Sequence, residues 1–299
     1  MCIRDSAKTV SMPILSGLLG GNTKYIWLSA SPVVIEIELA DSRAGVMTGK
    51  GGGAEEFYST DSSLQNVMLL ADMVQIDPGL LNSYTRHLEY AGSLTYHFQT
   101  WSTIVHSLPG GAGGATQEFH VNQTRAFSKL DTVFVSFAKQ EADGVATVGA
   151  APDAVKDVTW FEGLNGTVPP AAGQECLTGN ADRLECHLTL GPVRMPHFSP
   201  QRVCEHFFRY LQALGKHNSD VHAPGITMQQ WRYNSMVISF DCEKAHAGSG
   251  AEWSGLSTRG GDILSFFCKH APASAQRCYV TCHHTVIARV SKAGCDFQD

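Results

Sequence analysis

Residues 124–140 read TRAFSKLDTVFVSFAKQ, and the second half of this stretch indicates the fold class most clearly. Alternate positions carry Val133, Val135 and Phe137, while the positions between them carry the aromatic ring of Phe134 beside a threonine and a serine. Side chains alternate between the two faces of a β-strand, so both faces of this strand present apolar surface. The pattern predicts a strand that is packed between two layers.

The same period of two recurs along most of the chain, which predicts further strands. They are PVVIEIELA (32–40), LQNVMLLADMVQID (64–77), SLTYHFQTWSTIVHSL (93–108), the start of 117–140, RLECHLTLGPVRM (183–195), MQQWRYNSMVISFDCE (228–243), GDILSFFCKH (261–270) and RCYVTCHHTVIARVSKAGCDF (277–297). Many strands with turns between them, and no helices in alternation, predict an antiparallel β-sandwich. The break between Asp77 and Gly92 is the predicted domain boundary.

One helix is predicted between residues 200 and 214. Ser199 can cap its start, Pro200 suits its first position and Gly215 can end it. Apolar residues recur through it at helical spacing, which favours a helix lying on a sheet. Residues 139–182 are rich in Gly, Ala and Pro and are predicted to form a long surface loop.

Composition indicates a globular protein: 43% of the 299 residues are hydrophobic and 17% are charged. The net charge of -6 and the lack of a basic tract argue against a specific nucleic-acid site. The chain shows neither a secretion signal nor an apolar run long enough to span a membrane. Its first six residues, MCIRDS, resemble translated adaptor sequence, so we expect the natural protein to extend further upstream.

The sequence offers few candidate metal ligands or catalytic residues. The nine cysteines form no CxxC pair, and Cys282 and His284 are the best candidate metal ligands because they share one face of a strand. Two ligands are too few, so packing is the favoured interpretation. In CEH, 204–206, neighbouring helix positions diverge, which predicts surface residues and one buried thiol. Without a nucleophile motif, the sequence predicts no catalytic, cofactor-binding or metal residue.

Residues 235–268 hold the densest group of polar side chains. They are Asp241, Cys242, Glu243, Lys244, His246, Ser254, Ser257, Arg259 and Asp262. Alternation places Ile238, Phe240 and Cys242 on one face of a strand and Asp241 and Glu243 on the opposite, exposed face. The charged groups are therefore predicted to be spread out and not to converge on a ligand.

Four segments resemble one family in their order and approximate spacing: LLADMVQIDPGLLNSYTRHLEYAGSLTYHFQTW, TRAFSKLDTVFVSF, FSPQRVCEHFFRYLQALG and WSGLSTRGGDILSFFCK. The family is the double jelly-roll major capsid proteins of Polinton-type and adintovirus-like DNA viruses, and the resemblance covers most of residues 24–299. It implies an all-β antiparallel jelly-roll sandwich with one short helix. Residues 7–82 would be the C-terminal part of an incomplete first roll, and residues 83–299 the second roll.

The resemblance also implies a function. The chain would be a structural, non-enzymatic major capsid protein that forms homotrimeric, pseudo-hexagonal capsomers of an icosahedral shell. It would be assembled inside the host cell, reside in the virion, and have minor capsid proteins as further partners. Arg259 and Asp262 would be turn and interface residues. Because half a first roll leaves strand edges uncovered, we expect this chain to aggregate and one extended upstream to form discrete trimers.

Two other classes of function remain open on the residues alone. A monomeric carbohydrate-binding β-sandwich would use Trp101, Trp160, Trp231 or Trp253 as a sugar platform. A cupin-type metal enzyme would need converging histidines. Oligomeric state separates the shell protein from the sugar-binding module, and bound metal separates both from the enzyme.

Overall fold

The computed structural model describes residues 11–12, 14, 16–20, 25–28, 32–38, 47–48, 57–58, 65–108, 117–138, 184–215, 225–243, 255–271, 277–291 and 294–298. The helices in this part of the chain are α1 (Gly17–Gly20), α2 (Pro78–Ala91), α3 (Val203–Ala213) and α4 (Met228–Asn234). Its strands are β1 (Met47–Thr48), β2 (Phe57–Tyr58), β3 (Leu94–Ser107), β4 (Gln117–Gln123), β5 (Leu130–Ala138), β6 (Glu185–Leu190), β7 (Val193–Met195), β8 (Val237–Asp241), β9 (Leu264–Ala271), β10 (Arg277–Ser291) and β11 (Gly294–Gln298).

Eight consecutive strands, β3 to β10, form two sheets with a diagnostic order. One sheet runs β3-β10-β5-β8, with β11 on the end of β10, and the other runs β4-β9-β6-β7. The connection from β6 to β7 stays within one sheet, and every other connection between consecutive strands from β3 to β10 crosses to the other sheet. This is the connectivity of a jelly roll. The predicted fold class, an antiparallel jelly-roll sandwich, is confirmed.

The chain divides into two compact units, and the long strands β3 and β10 each contribute to both. One unit comprises residues 1–33, 77–100 and 285–299, and the other comprises residues 34–76 and 101–284. The predicted domain division between residues 82 and 83 stays a prediction. Helix α2 runs across that position, from Pro78 to Ala91.

The larger unit has a core that both sheets build. Val133, Val135 and Phe137 of β5 are fully buried, as the alternation predicted. Across the core, the rings of Phe240 in β8 and Phe266 in β9 meet edge to face with 6.0 Å between centroids. Thr132 and Ser136, on the other face of β5, are also buried, so this strand is covered on both sides, as predicted.

The smaller unit has a core of its own. Leu88 of α2 packs with Leu94 and Tyr96 of β3 and with Ala288 and Val290 of β10. The β10 residues lie two apart on one buried face, which alternation requires. This core holds α2 against the strands of that unit.

Helices α3 and α4 belong to the larger unit and meet through aromatic rings. Trp231 of α4 is fully buried, with its ring centroid 5.5 Å from that of Phe207 and 6.1 Å from that of Tyr210 in α3. Its indole Nε1 donates a hydrogen bond to the backbone oxygen of Val237, 3.2 Å away, at the start of β8. The predicted helix on a sheet is therefore present, and a second short helix supports it.

Local predictions differ from the structure in the region before β3. Strands were predicted at 32–40 and 64–77, but the parts of them that the structure describes, residues 32–38 and 65–77, contain neither strand nor helix. Residues 78–91, interpreted as a boundary, form α2. Asp77 caps it by accepting from the backbone N of Gly79 at 3.3 Å, Pro78 opens it, and Gly92 ends it in the left-handed region at φ 75°.

The sequence predicted one helix, but the described part of the chain contains more than one. Residues 228–234 were predicted as the start of a strand, but they form α4 because Thr227 and Gln230 make a capping box. Helix α3 begins at Val203 with Arg202 as its cap, three residues after the predicted cap Ser199. The predicted loop at 139–182, and any further strands of a first roll outside the described ranges, stay predictions.

Candidate assembly surface

A run of exposed apolar side chains follows residue 66. Within it Leu70 is 89% exposed and Met68 is 80% exposed. The exposed members, which we name segment 67–74, are Val67, Met68, Leu69, Leu70, Met73 and Val74. A contiguous apolar patch on a soluble protein marks a site of association. Segment 67–74 is therefore the leading candidate for an assembly contact.

A second exposed apolar run lies in residues 33–37, which we name segment 33–37. Val34 is 87% exposed and Ile37 is 58% exposed, while Glu36 and Glu38 alternate with them. Segment 67–74 and residues 34–37 belong to the larger unit, whereas Val33 belongs to the smaller one. Exposed segments rich in β-branched and other apolar residues pair readily with the edge strand of another molecule. Both segments could therefore form a strand against a partner.

An open groove of about 460 Å³ lies beside α3. Its walls are Phe198, Ser199, Pro200, Cys204, Glu205, Phe208, Arg209 and Gln212. Phe198 and Phe208 are largely exposed, and Glu205 and Arg209 add a carboxylate and a guanidinium to the same groove. Exposed aromatic rings beside charged groups are characteristic of protein contacts, so the groove adds to the candidate assembly surface.

Ser199 and His187 form a pair that the sequence did not predict. Ser199 Oγ lies 3.1 Å from His187 Nδ1, and Arg194 donates a hydrogen bond to the same oxygen. Arg194 also lies 3.3 Å from a Glu185 carboxylate oxygen. Burial and the nearby Arg194 charge lower the pKa of His187, so its ring is neutral near pH 7. The network ties β6 and β7 to the loop that enters α3.

Cys282 and His284 are both fully buried, on the shared face that the alternation predicted. Gln123 donates from Nε2 to Cys282 Sγ at 3.2 Å, and the ring of Phe127 lies 4.6 Å from that of His284. Burial raises the pKa of Cys282 to about 11. Within the described ranges, no group of three or more His, Cys, Asp or Glu side chains could hold a metal ion.

In the CEH motif, the burial of the cysteine and the histidine is the opposite of what was predicted. Cys204 is exposed, whereas His206 is 1% exposed and donates from Nε2 to the backbone oxygen of Leu184 at 2.6 Å. The prediction of one buried thiol is wrong because α3 turns its histidine toward β6. Burial lowers the pKa of His206.

That the polar residues of 235–268 do not converge stays a prediction, and among the described ones the predicted exposure is only partly correct. Ile238, Phe240 and Cys242 are buried as predicted. Asp241 is half-buried rather than exposed, and its Oδ1 accepts from the backbone N of Glu243 at 2.9 Å. The intervening Ser239 is buried at 1% exposure because α3 packs against β8. Lys244, His246 and Ser254 lie outside the described residues.

Asp262 contributes to a tight turn. It lies against Gly191, whose φ of 54° and lack of a side chain make room for the carboxylate. Arg259 and Ser257 lie in the turn region before β9, and both are exposed. The turn role of Asp262 follows from this contact, while an interface role stays a proposal.

Of the four tryptophans proposed as a sugar platform, the described ranges include two. Trp101 is 56% exposed on β3, where its ring centroid lies 4.3 Å from that of His283. Trp231 is fully buried and cannot contact a sugar. Trp160 and Trp253 lie outside the described residues. Among the described residues, Trp101 is therefore the one tryptophan of the four that could stack on a sugar.

Comparison with known proteins gives a partial likeness in chain path. No family model and no curated protein matches this chain. A chain in "Crystal structure of PBCV-1 VP54 fitted into a cryo-EM reconstruction of the virophage Sputnik" is 9% identical, with a TM-score of 0.41, over 73% of this chain and 54% of that one. For "PBCV-1 virus capsid, quasi-atomic model" the identity is 9% and the TM-score 0.39, over 72% and 54%. "The 3.5 A resolution structure of the Sputnik virophage by cryo-EM" gives 10% and 0.40, over 69% and 39%.

This chain thus spans between 39% and 54% of the length of those solved chains. TM-scores near 0.4 carry no conclusion about function or assembly. Any functional conclusion depends on the strand order and surfaces described above. No helix among the described residues is long and apolar enough to cross a membrane.

Proposed function

We propose that this chain is a major capsid protein that self-associates into trimeric, pseudo-hexagonal capsomers of an icosahedral shell. Three features support the proposal. The strands have jelly-roll order, a fold that recurs in viral shells. The sequence resembles double jelly-roll capsid proteins in four ordered segments. The described surface carries long apolar runs that a monomer would leave in water.

The exposure of segment 67–74 is the observation that carries the proposal. Fully burying a Val, Leu or Met side chain contributes about 1.5–3 kcal/mol, so six of them contribute roughly 10 kcal/mol or more. Association itself costs about 4–15 kcal/mol. Burial of the whole segment therefore offsets most of that cost, whereas burial of one or two residues would not.

The remaining parts of the proposal follow the resemblance. Residues 83–299 form the second jelly roll, and residues 7–82 belong to the first. The partners are other copies of the chain in a capsid lattice, together with minor capsid proteins, and the location is the virion after assembly in the host cell. The role is structural and needs no cofactor, catalytic residue or specific nucleic-acid site.

Native mass spectrometry of the soluble protein tests the trimer. Beside the aggregate that we expect from this chain, the soluble fraction should contain species at three times the 32.3 kDa chain mass and at multiples of that species. Negative-stain images of the same fraction should show particles with a three-fold axis and a hexagonal outline. A fraction that contains only the single chain at micromolar concentration would refute the proposal.

A monomeric sugar-binding module is the second candidate, and the exposure of Trp101 favours it. The hydroxyl oxygens of Thr103 and Thr281 lie 2.9 Å apart on the same pair of strands, so an aromatic face and hydroxyl groups are close together. Glycan-array binding that Trp101→Ala abolishes, by a protein that stays monomeric, would support this candidate over the capsid protein.

A further inference from the structure

Two cysteines face each other across neighbouring strands in the core. Cys186 of β6 and Cys268 of β9 are direct register partners, separated by 82 residues in sequence. Their sulfur atoms are 3.3 Å apart, and the Cys186 thiol donates to Cys268 Sγ. Both side chains are fully buried. The sulfurs are therefore held together by the sheet and by close packing on all sides.

This geometry is close to that of a disulfide. Directly opposed residues in an antiparallel sheet have Cα atoms about 4.5–5.5 Å apart, and disulfides span Cα distances of about 4.4–6.8 Å. A disulfide has an S–S length of about 2.05 Å, so the sulfurs, now 3.3 Å apart, need to approach by about 1.3 Å. Rotation about the side-chain bonds can supply that movement without a change of strand register.

We propose that Cys186 and Cys268 are a disulfide-forming site that a peroxide oxidises. One thiolate attacks a peroxide oxygen, which releases hydroxide and leaves a sulfenic acid on that sulfur. The second thiolate attacks the same sulfur and expels a second hydroxide. The net reaction consumes two thiols and one hydrogen peroxide and yields one disulfide and two waters. The two cysteine sulfurs lose two electrons, and the peroxide oxygens gain them.

Burial controls when the reaction takes place. β9 lies between β4 and β6, so a peroxide reaches the two sulfurs only when the sheet opens locally. Burial also raises the pKa of Cys268, which keeps the reactive thiolate scarce in the closed state. Oxidation should accordingly be slow in the native protein and about tenfold faster in 1 M urea, where opening is more frequent.

The bond should stabilise the fold once formed. It closes a loop of 82 residues, which restricts the unfolded chain more than the folded one. For a domain of this size we expect Tm to rise by roughly 10 °C on oxidation. Reduction with a dithiol should return Tm to its starting value. This chemistry does not depend on whether the chain forms a shell.

Peptide mapping after peroxide treatment tests the proposal directly on the wild-type chain. The protein is oxidised, quenched with alkylating agent in denaturant, and digested without reductant. We expect a peptide that links Cys186 to Cys268, together with the Tm rise. C186S and C268S should each lose both effects. C278S is the matched control, because its thiol is also buried and lies near Cys268 but comes from β10 in the facing sheet, and it should keep both.

Two results would overturn the proposal. One is a wild-type chain in which both thiols remain fully alkylatable after prolonged oxidation in 1 M urea. The other is a linkage from Cys268 to Cys278 in place of Cys186. Mapping of the wild-type protein decides the matter even if a serine variant fails to fold.

Discussion

His206 shows how one buried side chain makes stability depend on pH. Because burial places its pKa below the unfolded value near 6.5, the unfolded chain binds more protons as pH falls. The stability that the neutral ring provides is present above pH 6.5 and is lost as pH falls through the folded pKa. A single such group changes stability by up to about 1.4 kcal/mol per pH unit.

We predict that His206→Gln lessens the acid sensitivity of the fold. Gln can still donate to the Leu184 oxygen but does not titrate. Urea unfolding at pH 7.5 and pH 5.5 should show a smaller loss for this variant than for wild type. Cys204→Ser, at the exposed neighbouring position, should behave as wild type. His187 and His283 are present in both proteins. If His206→Gln and wild type lose equal unfolding free energy between pH 7.5 and pH 5.5, His206 is not the source of the acid sensitivity.

Gly191 gives a second test at the scale of one residue. A Cβ there would lie 2.6 Å from Asp262 Oδ1 with φ at 54°, whereas a Cβ at Gly215, φ 66°, would meet nothing within 4 Å. Both alanine variants incur backbone strain. Gly191→Ala should cost roughly 1 kcal/mol more than Gly215→Ala in chemical unfolding, since it also crowds the carboxylate. Adding Asp262→Ala should remove that difference; if the difference persists, crowding is not its cause.

The packing of helices α3 and α4 against strand β8 depends on one tryptophan. Trp231→Ala removes a fully buried ring and its hydrogen bond to Val237, so we predict a loss of about 3–5 kcal/mol in the free energy of unfolding. Phe208→Ala, on the exposed side of α3, is the control and should change it by less than about 0.5 kcal/mol. If both variants lose a similar free energy of unfolding, Trp231 does not hold α3 and α4 against β8.

The sequence predicted the strands of the jelly roll because their buried faces alternate, as in Cys278, Val280 and Cys282. It failed at segment 33–37 and segment 67–74, whose residues favour strands but are exposed and pair with no strand among the described residues. Periodicity records which side chains could share a face and cannot show what covers that face. Helix α2 was predictable from Asp77, Pro78 and Gly92, whose capping signals were instead interpreted as a domain boundary.

The candidate surface was less predictable than the fold. The pairing of Ser199 with His187, and of Cys186 with Cys268, joins residues from separate strands and loops, which local spacing does not reveal. The burial of His206 depends on which way α3 is turned on the sheet. A helix pattern gives the apolar face but not the polar residue that will hydrogen-bond inside it.

In the proposed assembly, whole copies of the chain associate through segment 67–74. Placing a carboxylate at both Met68 and Leu70 would make burial of the segment costly, because a buried unpaired charge is strongly unfavourable. Asn122→Glu with Thr124→Glu, at two exposed polar positions that are also two residues apart, adds the same two negative charges and serves as the control.

Light scattering coupled to size-exclusion chromatography, over a range of micromolar concentrations, tests this most directly. We predict that wild type and the control elute as trimers or larger assemblies, and that Met68→Glu with Leu70→Glu shifts the mass toward the 32.3 kDa monomer. Far-UV circular dichroism should show that the double variant remains folded. A wild-type chain that is monomeric throughout this range, or assemblies that the double variant leaves unchanged, would contradict self-association through segment 67–74.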